Sequence, residues 1–237
     1  MKKLMLMTVA ASLLTPTAAM AQDEALVVVT ASRVDRDEYD EYYEDDQSAI
    51  GLTRSADFFV KPMFVESDSR DASTRRAEVT SMLEAVIAQA QRQGISLVAG
   101  DYKLEPLTLE SLADLSFGRG SRPDTTRAQI YARLPVGGRF GSIDDVDAAV
   151  IPFAKSVPVS GRSYIETGST ELAINNPQQY RVAVVKAIAD ESKRYAALFG
   201  NDYGIEIRGL DSELYFKQSS ETEVFLYLEH SFVIAPK

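Results

Sequence analysis

The sequence predicts an α+β protein with two βα-type halves, in which antiparallel sheets are packed by two long amphipathic helices and one short helix. Two stretches carry apolar residues at helical spacing and end at a glycine that precedes a strand-like run. A third stretch, 125–136, alternates apolar and polar residues as a half-buried strand does. The resulting order, β-α-β-β-α-β-α-β-β-β, mixes single helices with runs of strands, which indicates this fold class.

The element around which we expect the rest to be organised spans residues 178–210. Six positions that recur every three or four residues predict the packed face of a helix: Val182, Val185, Ala189, Ser192, Ala196 and Phe199. Gly200 and Gly204 end this helix, and the alternation of Ile205 and Ile207 with charged residues predicts a strand after it.

A similar helix-glycine-strand unit is predicted at residues 72–97. Its apolar stripe comprises Val79, Met82, Leu83, Val86, Ile87 and Ala90. Gly94 ends the helix, and a strand begins at Ile95. The two units suggest a two-part domain, but helix-glycine-strand is common in αβ proteins, so the pattern indicates a pseudo-repeat at most.

The remaining elements follow from local signals. Pro62 interrupts a strand-like run at residues 58–65 and favours an edge or a bulge there. Ser142 is expected to cap a second helix with Asp144 and Asp145 in its first turn, and Pro152 predicts that this helix is short or kinked. Further strands are predicted at 169–175, 212–218 and 223–235, and the last of these is so apolar that we place it centrally in a sheet.

The first 21 residues have the layout of a secretory signal peptide. Lys2 and Lys3 precede a short apolar run, Leu4–Leu14, and Ala19-Met20-Ala21 forms a small-x-small cleavage site. The run is too short for a permanent membrane anchor. We therefore expect an exported protein, located in the periplasm of a Gram-negative bacterium, with secretion or outer-membrane association as alternatives.

Composition excludes several classes of function. The chain has no cysteine and one histidine, His230, which argues against zinc or haem. A Ca²⁺ or Mg²⁺ site made of carboxylates alone stays open, but the sequence has no EF-hand loop, and no cofactor or metal site is predicted. The formal net charge is −10, and loss of the leader with Lys2 and Lys3 makes it −12. Such a protein is a poor candidate for binding nucleic acid or an anionic membrane.

Residues 22–54 are predicted to be a flexible acidic segment, and residues 55–237 the folded domain. The stretch 34–47 holds eight acids and one arginine, so it repels itself and has no apolar face. A solvated linker is one interpretation, and a lure for cations or a basic partner is the other.

The segment DEALVVVTASR, residues 23–33, resembles the TonB box of outer-membrane receptors: an acidic pair, a valine run, Thr30, Ala31 and Arg33. In that family an extended peptide adds a strand to a periplasmic partner. The resemblance implies a partner-binding segment at Val27, Val28, Val29 and Thr30. The alternative is an ordinary β-prone segment that pairs within its own fold.

Residues 57–235 are similar to the SIMPL-domain (DUF541) family of exported bacterial αβ proteins. The stretches that carry the resemblance are Arg75–Ile95, Tyr102–Leu104, Ile130–Leu134, Ile143–Asp145 and Ala183–Gly200. The resemblance implies an envelope protein without an established active site. The region between the second and third helices departs from the family pattern.

No catalytic residue is predicted. The motif FGRGSR at 117–122 lacks the lysine and setting of a phosphate-binding loop, and a lone histidine in an apolar strand is best interpreted as packed. Arg75-Arg76 and Lys193-Arg194 are expected on solvated helix faces.

Two hypotheses remain. A non-enzymatic envelope protein that acts through protein contacts or self-association predicts exposed sheet edges or an apolar patch. A carboxylate-based hydrolase or carbohydrate-binding module predicts a pocket with two acids and aromatic residues such as Tyr131, Tyr164 or Tyr215.

Overall fold

The computed structural model describes residues 26–29, 50–100, 103–120, 122 and 124–237. The helices are α1 (Ala72–Gln93), α2 (Ile143–Ser156) and α3 (Arg181–Leu198). The strands are β1 (Leu26–Val29), β2 (Gly51–Ser55), β3 (Phe58–Ser67), β4 (Ser96–Ala99), β5 (Glu105–Pro106), β6 (Gly118–Arg119), β7 (Thr126–Pro135), β8 (Ser163–Thr167), β9 (Glu171–Asn175), β10 (Tyr203–Arg208), β11 (Leu214–Gln218), β12 (Glu223–Leu228) and β13 (Ser231–Pro236). Together they confirm the predicted α+β class.

Two interleaved β-α-β crossovers build the central sheet. Its described strands follow the order β1-β9-β3-β7-β4-β5, with β8 also beside β3 and β6 beside β7. The crossover β3-α1-β4 encloses β7, and the crossover β7-α2-β9 encloses β3. This is the split β-α-β arrangement of ferredoxin-like domains. The two halves of this sheet are thus built on α1 and α2, whereas α3, which shares the helix-glycine-strand order of α1, packs against β2, β10 and β12.

Helix α1 forms as predicted. The Asp71 carboxylate accepts a 2.8 Å hydrogen bond from the amide of Thr74 at the first turn. Gly94 ends the helix with φ of 69°, a left-handed conformation that glycine adopts without strain. The buried residues are the six of the predicted stripe. They pack against one face of β3, through Phe59, Met63 and Val65.

Helix α2 also has the predicted start. The Ser142 hydroxyl accepts a hydrogen bond from the Asp145 amide, and the Asp145 carboxylate accepts one from the Ser142 amide. This reciprocal pair is a capping box, with Asp in the place usually taken by Glu or Gln. Pro152 is exposed within the helix and does not end it, since α2 continues to Ser156.

Helix α3 buries a different face from the predicted one. Its fully buried residues are Val184, Ile188 and Ser192, whereas Val182 is 80% exposed and Phe199 is 58% exposed. The predicted stripe was therefore wrong at both ends. The face is set by β2, β10 and β12, against which α3 packs, and their position relative to the helix is not a local property of its sequence.

The predicted terminal strand is broken in two. β12 lies centrally between β11 and β2, but β13 pairs with β10 in a separate two-stranded sheet. His230 lies at this break, and its Nδ1 is 2.8 Å from the carbonyl oxygen of Leu228. Opposite the break, Arg181 donates 2.7 Å hydrogen bonds to the carbonyl oxygens of Leu210 and Ser212. His230 therefore marks a bend and does not lie mid-strand as predicted.

The boundary of the folded part also differs from the prediction. Strand β2 begins at Gly51 and pairs with β12, so the residues before Ser55 belong to the sheet. A strand not predicted, β8, pairs with the second half of β3. The predicted leader and the acid-rich stretch 34–47 lie outside the described residues.

Pro62 lies in a central strand opposite an interruption in its neighbour. β8 pairs with β3 from Met63 onward and β9 pairs with it up to Val60, which leaves Gly168–Thr170 bulged beside Lys61 and Pro62. The Gly168 amide donates a 2.9 Å hydrogen bond to the Pro62 carbonyl oxygen. Because proline has no N–H to donate, a regular ladder would fail at this position. The bulge confirms one of the two predicted consequences of Pro62.

Candidate functional site

The predicted partner-binding segment lies at an edge of the central sheet. Strand β1 is antiparallel to β9, with Leu26 opposite Asn175 and Val29 opposite Leu172. Val27 and Val28 therefore belong to a four-residue edge strand, and Thr30 lies outside the described residues. Of the two interpretations of this segment, pairing within its own fold is what the structure shows for residues 26–29. Binding to a partner stays a prediction.

Strand β9, on which β1 lies, is firmly anchored in the domain. Leu172, Ala173 and Ile174 are buried. On its other side, the Asp57 amide donates to the Ala173 carbonyl oxygen at 3.0 Å, and the Asp57 carboxylate accepts from the Asn175 amide at 2.8 Å. If β1 were removed, β9 would stay in place, but its N–H and C=O groups on the side away from β3 would have no hydrogen-bond partner. Such a row is a template for another strand.

The face of β3 that points away from α1 carries a buried carboxylate. Glu66 is fully buried, and its oxygens accept hydrogen bonds from Arg127 Nε at 2.5 Å and from the Tyr164 hydroxyl at 3.1 Å. The Arg127 guanidinium also lies 4.1 Å from the centre of the Phe64 ring. Burial raises the pKa of the Tyr164 hydroxyl. Since Glu66 is satisfied by its neighbours, this network holds β3, β7 and β8 together and has no free catalytic group.

A second carboxylate on this face lies next to the end of β1. Glu171 is opposite Val60, and Val60 is opposite Arg133 on its other side, so the two charged residues flank one valine. Burial raises the pKa of the Glu171 carboxyl. The Arg133 guanidinium stacks on Phe58 at 4.7 Å, and its Nε is buried without a hydrogen-bond partner. These are the polar groups on this face that the fold leaves least satisfied.

A cavity of about 320 Å³ opens at the opposite edge of the sheet, beside β4 and β5. Its polar lining includes Lys103, Glu105, Ser111 and Asp114. Both acids are exposed, and Glu105 lies 3.7 Å from the Lys103 ammonium. The cavity lining thus includes two acids, as the hydrolase hypothesis requires, but both carboxylates are exposed to solvent.

The three tyrosines named for that hypothesis do not meet at the cavity. Tyr164 binds Glu66, and Tyr131 accepts a hydrogen bond from Gln129, which lines the cavity. Tyr215 lies in another sheet, stacked on Tyr227 with ring centres 5.7 Å apart. There the carboxylate of Glu229 raises the pKa of Tyr215.

Of the helical arginines, Arg75 occupies a different position from the one predicted, whereas Arg76 is exposed as predicted. Arg75 is not on a solvated face, because it donates to the carbonyl oxygens of Ser69 and Arg70 and to the Thr126 hydroxyl. Lys193 and Arg194 are exposed, as predicted.

Exposed apolar surface is present at the end of α3, as the protein-contact hypothesis predicts. Leu198 is 80% exposed. Tyr195 stacks on Phe232 with ring centres 5.7 Å apart, and Phe199 lies 5.9 Å from Tyr203. The aromatic partners Phe232 and Tyr203 lie in β13 and β10, and the rings of Tyr195 and Phe199 remain partly exposed beside them.

Sequence reasoning missed the charged residues inside the sheet. Lys61, Glu66 and Arg127 lie in strands that read as apolar or alternating, and neither pattern predicts a paired charge inside the sheet. A signal was available for Lys61 and Glu66, since each interrupts an otherwise apolar run. Their partners could not be identified, because Asp147 and Tyr164 lie about ninety residues away along the chain.

Comparison with protein-family models, with curated proteins and with solved structures found no match to this chain. Among the described residues, no group of three or more His, Cys, Asp or Glu is placed to hold a metal ion. No helix in the described part of the chain has the length and apolar content to cross a membrane.

Proposed function

We propose that this chain is an exported envelope protein that acts through protein–protein contacts or self-association and not through enzymatic chemistry. The observation that carries the proposal is the position of β1. Residues 26–29 of the segment that resembles a TonB box form the edge strand of a sheet whose next strand, β9, is independently anchored.

The mechanism we propose is strand addition. A four-residue strand paired on one side gives few hydrogen bonds, so a partner that offers a longer strand can compete for it. Release of β1 would expose the β9 edge, which a second copy could fill with its own β1. The resemblance to the SIMPL-domain family, which stays a prediction, agrees with a periplasmic location and the lack of an active site.

The first test is affinity capture from an envelope extract. The baits are residues 22–237, the same chain with Val27→Asp and Val29→Asp, and a matched control with Val159→Asp and Val182→Asp. The control adds the same two negative charges and leaves β1 unchanged. Its valines are 67% and 80% exposed, so the substitutions do not disturb the core. We expect the wild-type and control baits to capture the same protein and the β1 variant to lose it. Equal capture by all three baits would refute a role for β1.

Self-association is tested separately by sedimentation. A dimer that dissociates in the β1 variant and persists in the control would indicate exchange of β1 between copies. A protein that is monomeric at all concentrations would exclude self-association and leave binding to a different protein as the proposed function.

Export is tested by fractionation and by sequencing the N-terminus of the mature protein. We expect a periplasmic protein that begins at Gln22. A protein that retains Met1 in the cytoplasm would overturn this part of the proposal.

The alternative, a carboxylate-based hydrolase or carbohydrate-binding module, is favoured only by the cavity with Glu105 and Asp114. Glycan binding that is lost in Asp114→Asn and in Glu105→Gln would support it. Glycan binding that is unchanged in both variants, or none at all, would remove it.

A further inference from the structure

Seven arginines from distant parts of the chain meet at one end of the central sheet. This end is formed by the loop after β3, the start of α1, the β6–β7 hairpin and the start of β8. We term it the arginine end, and its members are Arg70, Arg75, Arg76, Arg119, Arg122, Arg127 and Arg162. The same end carries six acids, so its formal charge is about +1, which still contrasts with the formal net charge of −10 for the whole chain. The acids are Glu66, Asp68, Asp71, Glu78, Asp124 and Glu166.

Contacts to shared residues show that these arginines are neighbours. The Asp68 carboxylate binds Arg162 at 2.7 and 3.1 Å and also lies 3.6 Å from Arg122. Arg75 donates to the carbonyl oxygen of Arg70 at 3.0 Å and to Thr126 at 3.2 Å. Thr126 in turn pairs with Arg119 across the β6–β7 ladder.

Of the acids at this end, Asp68 pairs with Arg162 and Arg122, Glu166 lies 3.9 Å from Arg127, and Asp124 is exposed. The other three are engaged within the fold. Glu66 is buried against Arg127, and Glu78 accepts hydrogen bonds from the hydroxyls of Ser67 and Ser69 at 2.6 and 2.8 Å. Hydrogen bonds from Ser73 and Thr74 lower the pKa of Asp71 to about 2. Each of these carboxylates is oriented toward an internal donor and is not directed at the exposed guanidinium groups.

Several guanidinium groups remain available to solvent. The side chains of Arg70 and Arg119 are exposed and form no hydrogen bond or ion pair in the part of the chain that the structure describes. Arg122 is 66% exposed, although it contacts Asp68 at 3.6 Å and also the Tyr164 hydroxyl. Arg76 is exposed above the Phe117 ring, 4.8 Å from its centre. The four groups come from three separate elements and form an array on the surface.

We propose that the arginine end binds the phosphate groups of an anionic lipid surface. The planar guanidinium presents paired donors that match two phosphate oxygens. The groups are spread over exposed surface, and the 320 Å³ cavity is lined by other residues, so a ligand with many phosphates fits better than one small anion. Each exposed contact is weak, and binding depends on their number.

The arrangement accounts for lipid binding by an acidic protein. A basic residue close to an anionic lipid surface raises partitioning about fivefold, and the effect is lost beyond a Debye length of about 10 Å. Acidic residues farther than this from the lipid repel it little, because salt screens their charge. From net charge alone, we predicted that the protein does not bind an anionic membrane. The structure shows that this charge is unevenly distributed.

The experiment is vesicle co-sedimentation of the full chain with phosphatidylcholine, alone or with an equal part of phosphatidylglycerol. The test variant is Arg70→Gln with Arg119→Gln and Arg122→Gln. The matched control is Lys186→Gln with Lys193→Gln and Arg194→Gln on α3, which removes the same charge from exposed positions of a helix that packs against β2, β10 and β12. Circular dichroism checks that both variants fold.

We expect binding to the phosphatidylglycerol vesicles at low salt and none to phosphatidylcholine alone. Three lost arginines should reduce the partition coefficient about a hundredfold, whereas the control should stay within about twofold of the wild type. Equal losses in both variants would show that only net charge matters and would overturn the site.

Three other results would also overturn the proposal. Equal binding to neutral vesicles would indicate apolar insertion. Displacement by inorganic phosphate at low concentration would indicate a site for a small anion. Binding of a DNA duplex without binding of vesicles would assign the arginine end to a nucleic acid.

Discussion

The Lys61 ammonium donates a 2.7 Å hydrogen bond to the Asp147 carboxylate, and this pair joins the central strand β3 to helix α2. The lysine side chain is only 3% exposed, whereas that of Asp147 is 36% exposed. The ammonium also donates to the Gly168 carbonyl oxygen at 2.9 Å and to the Thr170 hydroxyl at 3.3 Å. The bulge opposite Pro62 thus supplies the acceptors that allow a lysine to be buried in the sheet.

The first prediction concerns this pair. Asp147→Ala should lower the free energy of unfolding by about 2 kcal/mol, because it leaves a buried ammonium without its counterion. Lys61→Met should cost less, since it removes the charge and the exposed Asp147 can return to water. Urea unfolding of both variants measures the difference. A larger loss for Lys61→Met would show that packing of the lysine stem, and not the charge pair, dominates.

The second prediction separates the two faces of α3. Val184 is fully buried and Val182 is 80% exposed, although the residues are identical and lie two positions apart. Val184→Ala should cost about 2 kcal/mol through lost burial and the cavity left behind. Val182→Ala should change stability by less than about 0.5 kcal/mol. The opposite ranking in denaturant unfolding would restore the face predicted from the sequence.

The third prediction concerns the glycine at the bend between β10 and β11. Gly209 has φ of 85°, and a Cβ atom there would lie 2.5 Å from the Glu229 carbonyl oxygen. Gly209→Ala should therefore cost at least about 2 kcal/mol.

Gly138 provides the matched control for Gly209, because its φ is 59° and a Cβ atom would meet nothing within 4 Å. Gly138→Ala should cost only the left-handed backbone penalty, about 1 kcal/mol. Equal melting temperatures for the two variants would show that the bend can open without loss.

The fourth prediction is a pH dependence. Burial raises the pKa of Glu171, so the folded protein binds a proton there more readily than the unfolded chain. Stability from this group is present at low pH and is lost as the pH rises above the ordinary glutamate range. Glu171→Gln should therefore raise the urea midpoint at pH 7 and leave it unchanged near pH 4.

The exposed Glu84 on α1 serves as the control for Glu171. Glu84→Gln should shift the midpoint equally little at both pH values. A midpoint for Glu171→Gln that falls at pH 7 would indicate that the ionised carboxylate has a partner which stabilises it.

The sequence correctly predicted the parts of the fold whose conformation is set by a residue and its near neighbours along the chain. The six-residue stripe of α1, the Ser142 cap of α2 and the alternation in β7 are local patterns, and each formed as predicted. Gly94 at the end of α1 belongs to the same class, because this cap requires only backbone groups one turn away.

The errors lie where distant segments compete for the same residues. The last apolar stretch reads as one strand, yet it divides at His230 because two different strands, β11 and β10, pair with its halves. The packed face of α3 differs from the predicted face because β2, β10 and β12, which come from both ends of the domain, determine which side of the helix is buried.

The sequence by itself determined the α+β class, the order of the main elements and the location of the valine-rich segment. Only the tertiary structure decided that this segment forms an edge strand on β9, that Lys61 and Glu66 have partners, and that seven arginines share one end of the sheet. The physical reason is the range of the interactions. Helical and strand periodicity act over a few residues and can be read along the chain. Ion pairs and sheet neighbours join residues up to about a hundred and seventy-five positions apart, and only the completed fold brings them together.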